Sequence, residues 1–464
     1  MKETKRRLMT FTFYDRSGIE RDLEEQAAQG WMLEKTSAAG WIYRRIEPAK
    51  IHFAVVYFPA ASAFDPYPSE NQQRFQEFCE HTGWELIASN IQLQIFCNRN
   101  ENPVPIETDP VIELEHIHAS VKKTVLPGFA TNLVLAFMQI GLAFQRFSQD
   151  AIGELANFPS LLSLLFWIMV IFTHAAQILL YYRWYHKAKA AAQNGYFLET
   201  RSTDRFQITM MISTALAVVF MLMSFGGGSM LLVALLMVTG IVGFSLLLVR
   251  LTNYLKKKNV SAKINKIITY ATAVPVSMII CSVVIWLMVS IQLDNSDRRD
   301  GMQPYEYNGH TYYVYQDSIP LRIEDLIETD YNGYSYEIIS DESSPLLRRY
   351  EARQKTRYDA LSEPEMHYHI IELKVPFLYN WVLDLMKDEF DHSYGFPEDT
   401  SNWEEHRSID PTPWGAREVY QLVLGGEEHY RYLLCYEKYI IEIDFDWEPT
   451  AEQMAIVGEK LNGN

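Results

Sequence analysis

Five long apolar runs in the middle of the chain constrain its fold more than any other sequence feature. They cover residues 125–144, 158–182, 206–225, 230–249 and 267–293. Each is about 20 residues or longer, enough for a helix to cross roughly 30 Å of hydrocarbon at about 1.5 Å per residue. Lipid offers the backbone no hydrogen-bond partner, so each run is expected to be a helix. The sequence therefore predicts a five-helix transmembrane bundle, with a tight glycine-rich turn at residues 225–229.

The basic residues of the loops predict the direction of the chain, because cytoplasmic loops are enriched in Lys and Arg. The loop after the first run contains one basic residue, Arg146. The loops after the second and fourth runs contain many: Arg183, Lys187, Lys189, Arg201, Arg205, Arg250, Lys256, Lys257, Lys258, Lys263 and Lys266. If the chain crosses the membrane five times, the loops after the second and fourth runs lie on the same side. We therefore expect a multi-pass plasma-membrane protein with a cytoplasmic N-terminus and an extracytoplasmic C-terminus.

Polar side chains inside the apolar runs are few, and none is acidic. His174 and Gln177 lie one helical turn apart in the second run. An intramembrane histidine is a functional candidate, but a proton relay or transporter usually needs charged partners as well. We expect these two side chains to hydrogen-bond a neighbouring helix. A small transporter accessory is kept as an alternative.

The membrane block divides the chain into three predicted domains, residues 1–120, 121–293 and 294–464. The whole chain has a formal net charge of −17. Residues 294–464 contain 36 acidic and 15 basic side chains, a net charge of −21, which leaves +4 for the rest. Such an acidic domain is not expected to bind nucleic acid, whose phosphates need Lys and Arg. It suits a protein partner or a cationic envelope ligand.

The first 120 residues show an internal duplication. We predict a strand at residues 9–13, a helix at 18–30 that Ser17 caps, and strands at 31–34 and 41–46. The same order recurs as a strand at 51–57, a helix at 70–81 and strands at 84–88 and 91–97. Gly30-Trp31 and Gly83-Trp84 occupy equivalent places. This β-α-β-β repeat indicates an α+β domain in which each glycine ends a helix and each tryptophan fills a helix–sheet interface.

One stretch of this domain, LEEQAAQGWMLEKTSAAGWIYRRI, resembles the family of domains of unknown function 2812 (DUF2812). The resemblance covers about the first 120 residues and the order of domains. It implies an uncharacterised membrane protein of Bacillota, and a link to a PadR-like transcription regulator. The family offers no established catalytic residues to transfer.

Chemical sites in the N-terminal domain have weak sequence support. The strand–helix junctions lack the glycine-rich loop that a nucleotide site needs. His116 and His118 would sit on a strand edge where they could chelate a metal, but a third ligand is missing, and residues 100–120 are interpreted as a polar connection to the first run. We assign no catalytic, cofactor-binding or metal residue and expect no cofactor.

The C-terminal domain is predicted to be α+β with an antiparallel sheet. Strands are expected at residues 305–308, 310–315, 334–339, 367–375, 419–424, 430–436 and 439–445, with helices at 376–390 and 450–461 and a loop at 391–413. Thr450 and Gln453 are expected to form a capping box at the start of the last helix. His367 and His369 share one face of a strand, where they could bind a metal with a carboxylate such as Glu372 or Asp391. Catalytic signatures of known spacing are absent.

These features favour a sensory or accessory membrane protein that links an extracytoplasmic recognition domain to a cytoplasmic domain. The alternative is an envelope enzyme with metal or carboxylate chemistry in the C-terminal domain. Whether the protein is an enzyme stays open, with the balance against it.

Overall fold

The computed structural model describes residues 3–8, 11–37, 40–66, 68–200, 204–223, 228–296, 302–357, 363–390 and 404–463. Contacts along the chain divide it into two units. Unit 1 comprises Met1–Leu142 and Ser163–Gln292, and unit 2 comprises Ala143–Leu162 and Leu293–Asn464. Unit 2 thus joins the C-terminal residues to a short segment between the first two apolar runs.

The N-terminal part of unit 1 contains two copies of one strand and helix order. The elements are β1 (Thr4–Arg7), α1 (Arg16–Ala28), β2 (Trp31–Lys35), β3 (Trp41–Arg45), β4 (His52–Tyr57), α2 (Glu70–His81), β5 (Glu85–Asn90) and β6 (Leu93–Asn98). The strands form two antiparallel three-stranded sheets in the orders β1-β3-β2 and β4-β6-β5. The first strand of each copy therefore pairs with the third, and the predicted β-α-β-β repeat is confirmed.

The start of the first copy differs from its prediction. The first strand is Thr4–Arg7, paired with β3, and Phe11 to Phe13 form no strand. Asp15 rather than Ser17 caps α1, accepting a hydrogen bond from the Gly18 N–H at 3.0 Å. Because the helix begins earlier, the preceding residues make a turn, with the Asp15 N–H bonded to the Thr12 carbonyl at 3.0 Å. Alternating apolar residues alone could not show this.

The two Gly-Trp pairs end their helices as predicted but bury their tryptophans unequally. Gly30 and Gly83 have φ of 83° and 84°, a left-handed conformation that glycine adopts without strain. Trp84 is buried and donates from Nε1 to the Val104 carbonyl at 2.8 Å. Trp31 is half-buried, with the Lys5 ammonium 4.5 Å from its ring centroid. Both tryptophans thus contact their helix–sheet cores, Trp84 as a buried residue and Trp31 as a partly buried one at the edge.

The helices of the membrane block follow. They are α3 (Pro110–Thr124), α4 (Leu126–Gln149), α6 (Phe158–Gln193), α7 (Asp204–Met223), α8 (Gly228–Lys257) and α9 (Ala262–Ser296); α5 (Ala151–Ala156) belongs to unit 2. Within the described residues, five helices are long and apolar enough to cross a membrane: Pro110–Gln149, Phe158–Gln193, Arg205–Met223, Leu232–Lys257 and Ala262–Ser290. By length and composition they fit a membrane protein. The predicted turn at 225–229 lies largely outside the described residues.

Helix α3 corrects the interpretation of residues 100–120 as a polar connection. Asp109 caps this helix by accepting from the Val111 N–H at 2.8 Å, and Pro110 occupies its first turn. Ile117 and Val121 enter the core formed by both β-α-β-β copies, as does Tyr181 of α6. The N-terminal domain therefore packs on the C-terminal part of α6, where the basic residues Arg183, Lys187 and Lys189 lie.

Unit 2 is built around one antiparallel sheet. Its strands are β7 (Gln303–Tyr307), β8 (His310–Val314), β9 (Ser335–Ser343), β10 (Leu347–Lys355), β11 (Met366–Leu373), β12 (Glu404–Ile409), β13 (Glu418–Leu424), β14 (Glu427–Cys435) and β15 (Tyr439–Phe445), and its long helices are α10 (Tyr379–Phe390) and α11 (Ala451–Leu461). Seven strands form the sheet in the order β12-β13-β14-β15-β11-β10-β9, and β7 pairs with β8. The predicted multi-domain fold class, with an antiparallel C-terminal sheet, is confirmed.

Two strands of this sheet are missing from the sequence prediction. Residues 404–409, predicted as part of a loop, form the edge strand β12, paired with β13. Strand β10 was not predicted, because LRRYEARQK contains few apolar residues. Its alternation becomes clear in the fold, where Tyr350, Ala352 and Gln354 are buried on one face. The predicted capping box of Thr450 and Gln453 at the last helix is confirmed.

The two faces of the seven-stranded sheet have separate cores. On one face, α11 and the segment 319–326 pack on Trp414, Tyr368 and their neighbours. On the other face, Val382 and Met386 of α10 pack on the sheet together with Ile152 and Ala156 of α5. The connection between the first two apolar runs therefore supplies part of the core of the C-terminal domain.

Candidate functional site

One half of the sheet face that α5 covers is charged. Strand side chains alternate between faces, so residues at odd positions of β10 and β11 project to the side that carries α5 and α10. They are apolar toward Leu347 and Ile371 and become polar further along both strands. Seven polar side chains from four adjacent strands meet there, and we call them the histidine–carboxylate cluster: Arg349, Glu351, His367, His369, Arg431, Glu442 and Asp444.

Glu351 is the centre of this cluster. Its Oε1 lies 3.1 Å from Nε2 of His367, and its Oε2 lies 2.9 Å from Nε2 of His369. The side chain is 14% exposed, so these contacts are largely shielded from water. Hydrogen bonds to His367 and His369 hold the pKa of the Glu351 carboxyl well below its usual range. The carboxylate is therefore ionised and serves both rings.

Nε2 of His369 has a second neighbour with the opposite requirement. Nε of Arg349 lies 3.2 Å from this nitrogen and can only donate a hydrogen bond. When Nε2 carries a proton, it donates to Glu351; when it carries none, it accepts from Arg349. The protonation and tautomer of one ring thus select between two partners.

Arg349 extends the cluster to the segment between the first two apolar runs. Its Nη1 lies 2.6 Å from Oδ2 of Asp150. The other oxygen of Asp150 accepts from the Gly153 N–H at 2.7 Å and so caps α5. A change in the hydrogen bonds of His369 can therefore reach the N-terminus of α5 through one guanidinium group.

Two more carboxylates complete the cluster. Arg431 donates from Nε to Oε1 of Glu442 at 2.6 Å, and Oε2 of Glu442 lies 3.9 Å from Nδ1 of His369. Asp444 pairs with His367 across the strands. Burial raises the pKa of the Asp444 carboxyl, and the nearby Arg431 partly offsets this effect. The cluster therefore contains carboxylates whose pKa values are moved in opposite directions.

The structure changes the predicted ligands of the histidine pair. His367 and His369 do lie on one strand face, with ring centroids 6.1 Å apart. Glu372 lies on the other face, at an even position of β11, and Asp391 lies outside the described residues. Glu351 takes the central place, which the sequence does not indicate, because the polar pattern of β10 does not predict a strand. In the part of the chain that the structure describes, no group of three or more His, Cys, Asp or Glu could hold a metal ion.

The other predicted histidine sites are resolved as local contacts. Nε2 of His174 lies 3.0 Å from Nδ2 of Asn132 on α4, so its predicted bond to a neighbouring helix is confirmed. Gln177 lines a separate cavity of about 160 Å³. His116 and His118 lie on α3 rather than on a strand edge, and two residues apart on a helix they point in different directions. Their Nδ1 atoms contact Glu107 at 2.8 Å and the Tyr181 hydroxyl at 2.6 Å.

Comparison with known proteins gives one match, over an N-terminal part of the chain. Residues 15–128 match the family model described as "Protein of unknown function (DUF2812)". This match covers α1, β2 and β3 of the first β-α-β-β copy, all of the second copy, α3 and the first residues of α4. Neither the curated proteins nor the solved structures contain a match to the chain.

Proposed function

We propose that this chain, a DUF2812 family member by residues 15–128, is a sensory membrane protein in which unit 2 detects external acidity and the N-terminal domain receives the signal. One observation carries the proposal. A histidine–carboxylate cluster in the recognition domain contacts, through Arg349 and Asp150, the segment that joins the first two apolar runs. Two side-chain contacts, His369 to Arg349 and Arg349 to Asp150, thus link the cluster to the segment between the first two apolar runs.

The stimulus is inferred from the chemistry of the cluster. Histidine is the side chain that ordinarily gains charge between pH 8 and pH 5. When both nitrogens of His369 carry protons, Nε2 can only donate a hydrogen bond. Its hydrogen bond to Glu351 is then kept, and the hydrogen bond from Arg349 to the same nitrogen is lost. The charged groups facing the ring all belong to five elements packed together: Arg349 and Glu351 of β10, His367 of β11, Glu442 and Asp444 of β15, Arg431 of β14 and Asp150 before α5.

The orientation that this function requires rests on the loops. The N-terminal domain packs on the C-terminal part of α6, which contains Arg183, Lys187 and Lys189, and the cytoplasmic ends of membrane helices are enriched in such residues. Helix α5 lies in the connection between the first two apolar runs, in which Arg146 is the single basic residue. We therefore propose a cytoplasmic N-terminus and an extracytoplasmic C-terminal domain at the plasma membrane. The domains are proposed at residues 1–120, 121–293 and 294–464.

The output is proposed to be a protein contact made by the cytoplasmic domain, with a PadR-like transcription regulator as the partner that the family resemblance implies. The N-terminal domain itself is not proposed to bind nucleic acid. The acidic C-terminal domain would also attract a cationic envelope ligand, and such a ligand would bind the carboxylates of the same cluster.

The experiment measures amide hydrogen exchange of α5 in the full-length protein in lipid nanodiscs at pH 7.5 and pH 5.5. After correction for intrinsic exchange, acidification should increase the exchange of α5 severalfold. His369→Gln, which cannot gain the charge, should abolish this difference. The matched control is His310→Gln, an exposed histidine of unit 2 outside the cluster. An α5 whose corrected exchange ignores pH, or responds equally in His369→Gln, would rule out this sensor.

One observation favours the alternative of an envelope enzyme. Glu351 and Asp444 lie on either side of His367, and the pKa of Glu351 is lowered while that of Asp444 is raised. Acid–base catalysis uses such pairs of carboxyl groups with different pKa values. An enzyme with metal chemistry at this site would carry bound metal that His367→Ala/His369→Ala loses, whereas the sensor requires none. The transporter-accessory alternative has less support, because the His174 contact with Asn132 joins two helices.

A further inference from the structure

A large cavity lies in unit 1. Its volume is about 930 Å³, within the range of small-molecule sites. Residues 61–65 and 89–91 of the N-terminal domain form one wall. Residues from 248 to 257 of α8 and Thr269 of α9 form the other. A cavity between a folded domain and the ends of two apolar helices is placed where a membrane lipid can enter.

The helical wall changes from apolar to cationic along its length. Leu248 and Val249 line one end, and Val249 is the last residue of the fourth apolar run. Lys256 and Lys257 line the other end, roughly 10 Å further along the helix axis at 1.5 Å per residue. An amphiphile with an acyl chain and an anionic headgroup matches this order. A free anion would use only the cationic end.

The charge of the cavity selects a monoanion. The charged side chains that line it are Lys256, Lys257 and Asp65, a net charge of +1. Among the described residues, neither lysine forms an ion pair with a carboxylate. A phosphodiester would accept hydrogen bonds from both lysines.

The walls are held in place without a ligand. The buried Asn265 donates to the Phe64 carbonyl at 3.0 Å and to the Thr252 carbonyl at 3.4 Å, which joins the two walls. On the opposite side, Ile91 has a φ of 53°, an unfavourable conformation for a β-branched residue. Its neighbour Gln92 fixes this turn by donating to the Ala61 carbonyl at 3.3 Å. Strained backbone of this kind is found at ligand sites.

We propose that this cavity binds one anionic phospholipid, with its phosphodiester at Lys256 and Lys257 and its acyl chain along Leu248 and Val249. The bound lipid adds to the Asn265 contacts that already join the N-terminal domain to the hairpin of α8 and α9. Basic pockets of this kind at the cytoplasmic end of membrane helices bind anionic headgroups. The site is independent of the proposed acid sensor, and its test does not depend on that function.

The experiment counts lipids retained by the full-length protein in native mass spectrometry after titration with phosphatidylglycerol or phosphatidylcholine. One phosphatidylglycerol should remain bound at concentrations where phosphatidylcholine does not. Lys256→Ala/Lys257→Ala should weaken its retention about tenfold or more, since each basic residue near a headgroup contributes about a factor of five. Lys258→Ala/Lys263→Ala removes the same charge from the same region but changes no residue of the cavity lining.

A second pair of variants tests the acyl end and the space itself. Asn253→Trp places a large side chain at an exposed lining position, whereas Tyr254→Trp changes an exposed neighbour outside the lining. Only Asn253→Trp should displace the lipid. Equal losses in the two lysine variants, or full retention in Asn253→Trp, would overturn the proposal. Displacement by inorganic phosphate or glycerol phosphate as effective as by phosphatidylglycerol would show a free-phosphate site instead.

Discussion

At the scale of single side chains, Glu351 shows how one carboxylate can organise a site. Each of its oxygens faces one histidine, so removal of the charge affects two rings at once. Hydrogen bonds to charged groups contribute about 1.5–3 kcal/mol each when shielded from water. His369 is 17% exposed and His367 is 37% exposed, which makes the His369 contact the stronger of the two.

We expect Glu351→Gln to destabilise β10 and β11 locally by about 2 kcal/mol at neutral pH. The pKa of Glu351 is lowered in the fold, so its contribution is complete above the ordinary glutamate pKa of about 4.3 and is lost as pH falls through the lower folded value. The gap between wild type and variant should therefore close in acid. Amide exchange of residues 367–370 from pH 7 to pH 3 measures it.

The control for this substitution is Glu372→Gln, on the same sheet but on the opposite face of β11. It should leave the exchange of residues 367–370 unchanged at every pH. A gap for Glu351→Gln that stays constant down to pH 3 would contradict the role given to the carboxylate charge.

At the scale of elements, α5 depends on its surroundings. A helix of six residues is not stable alone in water. The unfavourable free energy of helix nucleation exceeds the stabilisation from the few hydrogen bonds of one or two turns. Ile152 and Ala156 are almost fully buried in the core of the C-terminal domain, and Asp150 caps the first turn. The capping and burial of α5 thus report on unit 2, while its flanking residues continue into apolar helices.

Two substitutions at Asp150 separate its two contacts. Asp150→Asn keeps an N-cap but weakens the ion pair with Arg349, so it should preserve α5 and reduce the effect of pH on its exchange. Asp150→Ala removes both contacts and should destabilise α5 by about 1 kcal/mol. Exchange at Gly153 and Glu154 distinguishes them. Identical behaviour of the two variants would mean that the ion pair, rather than the cap, decides the stability of α5.

At the scale of the whole molecule, the proposed direction of insertion rests on the basic residues between the apolar runs. Five apolar helices in the described chain fit an odd number of crossings. Both basic loops then lie on one side, and the loop with α5 lies on the other. The N-terminal core includes Tyr181, two residues before Arg183 on α6, and the C-terminal core includes residues of α5.

Fusions of alkaline phosphatase, which is active only outside the cytoplasm, test this topology. Truncations fused after Gln149 and the complete chain fused after Asn464 should be active in intact cells, and a truncation fused after Gly195 should be inactive. The fusion after Gly195 is the matched control, because it differs from the first by one predicted crossing. Activity after Gly195 together with none after Asn464 would reverse the orientation.

The sequence was most informative where one physical requirement dominates. Lipid imposes helices about 20 residues long, so the apolar runs could be recognised from composition alone. Glycine at a left-handed helix end and the capping box at Thr450 have local causes, and both predictions were confirmed. The repeat in the first 120 residues was also recognisable, because each copy contains the same local signals in the same order.

The candidate site was beyond these local signals. His367 and His369 could be seen to share a strand face, but their central partner comes from β10, whose pattern is too polar to predict a strand. Arg349 and Asp150 are 199 residues apart in sequence and meet only in the folded unit. The apolar helices, the repeat and the charge of each part thus follow from the sequence itself. Which carboxylate meets the histidines, and which membrane loop joins the sheet, is decided by tertiary structure, because long-range strand pairing sets those contacts.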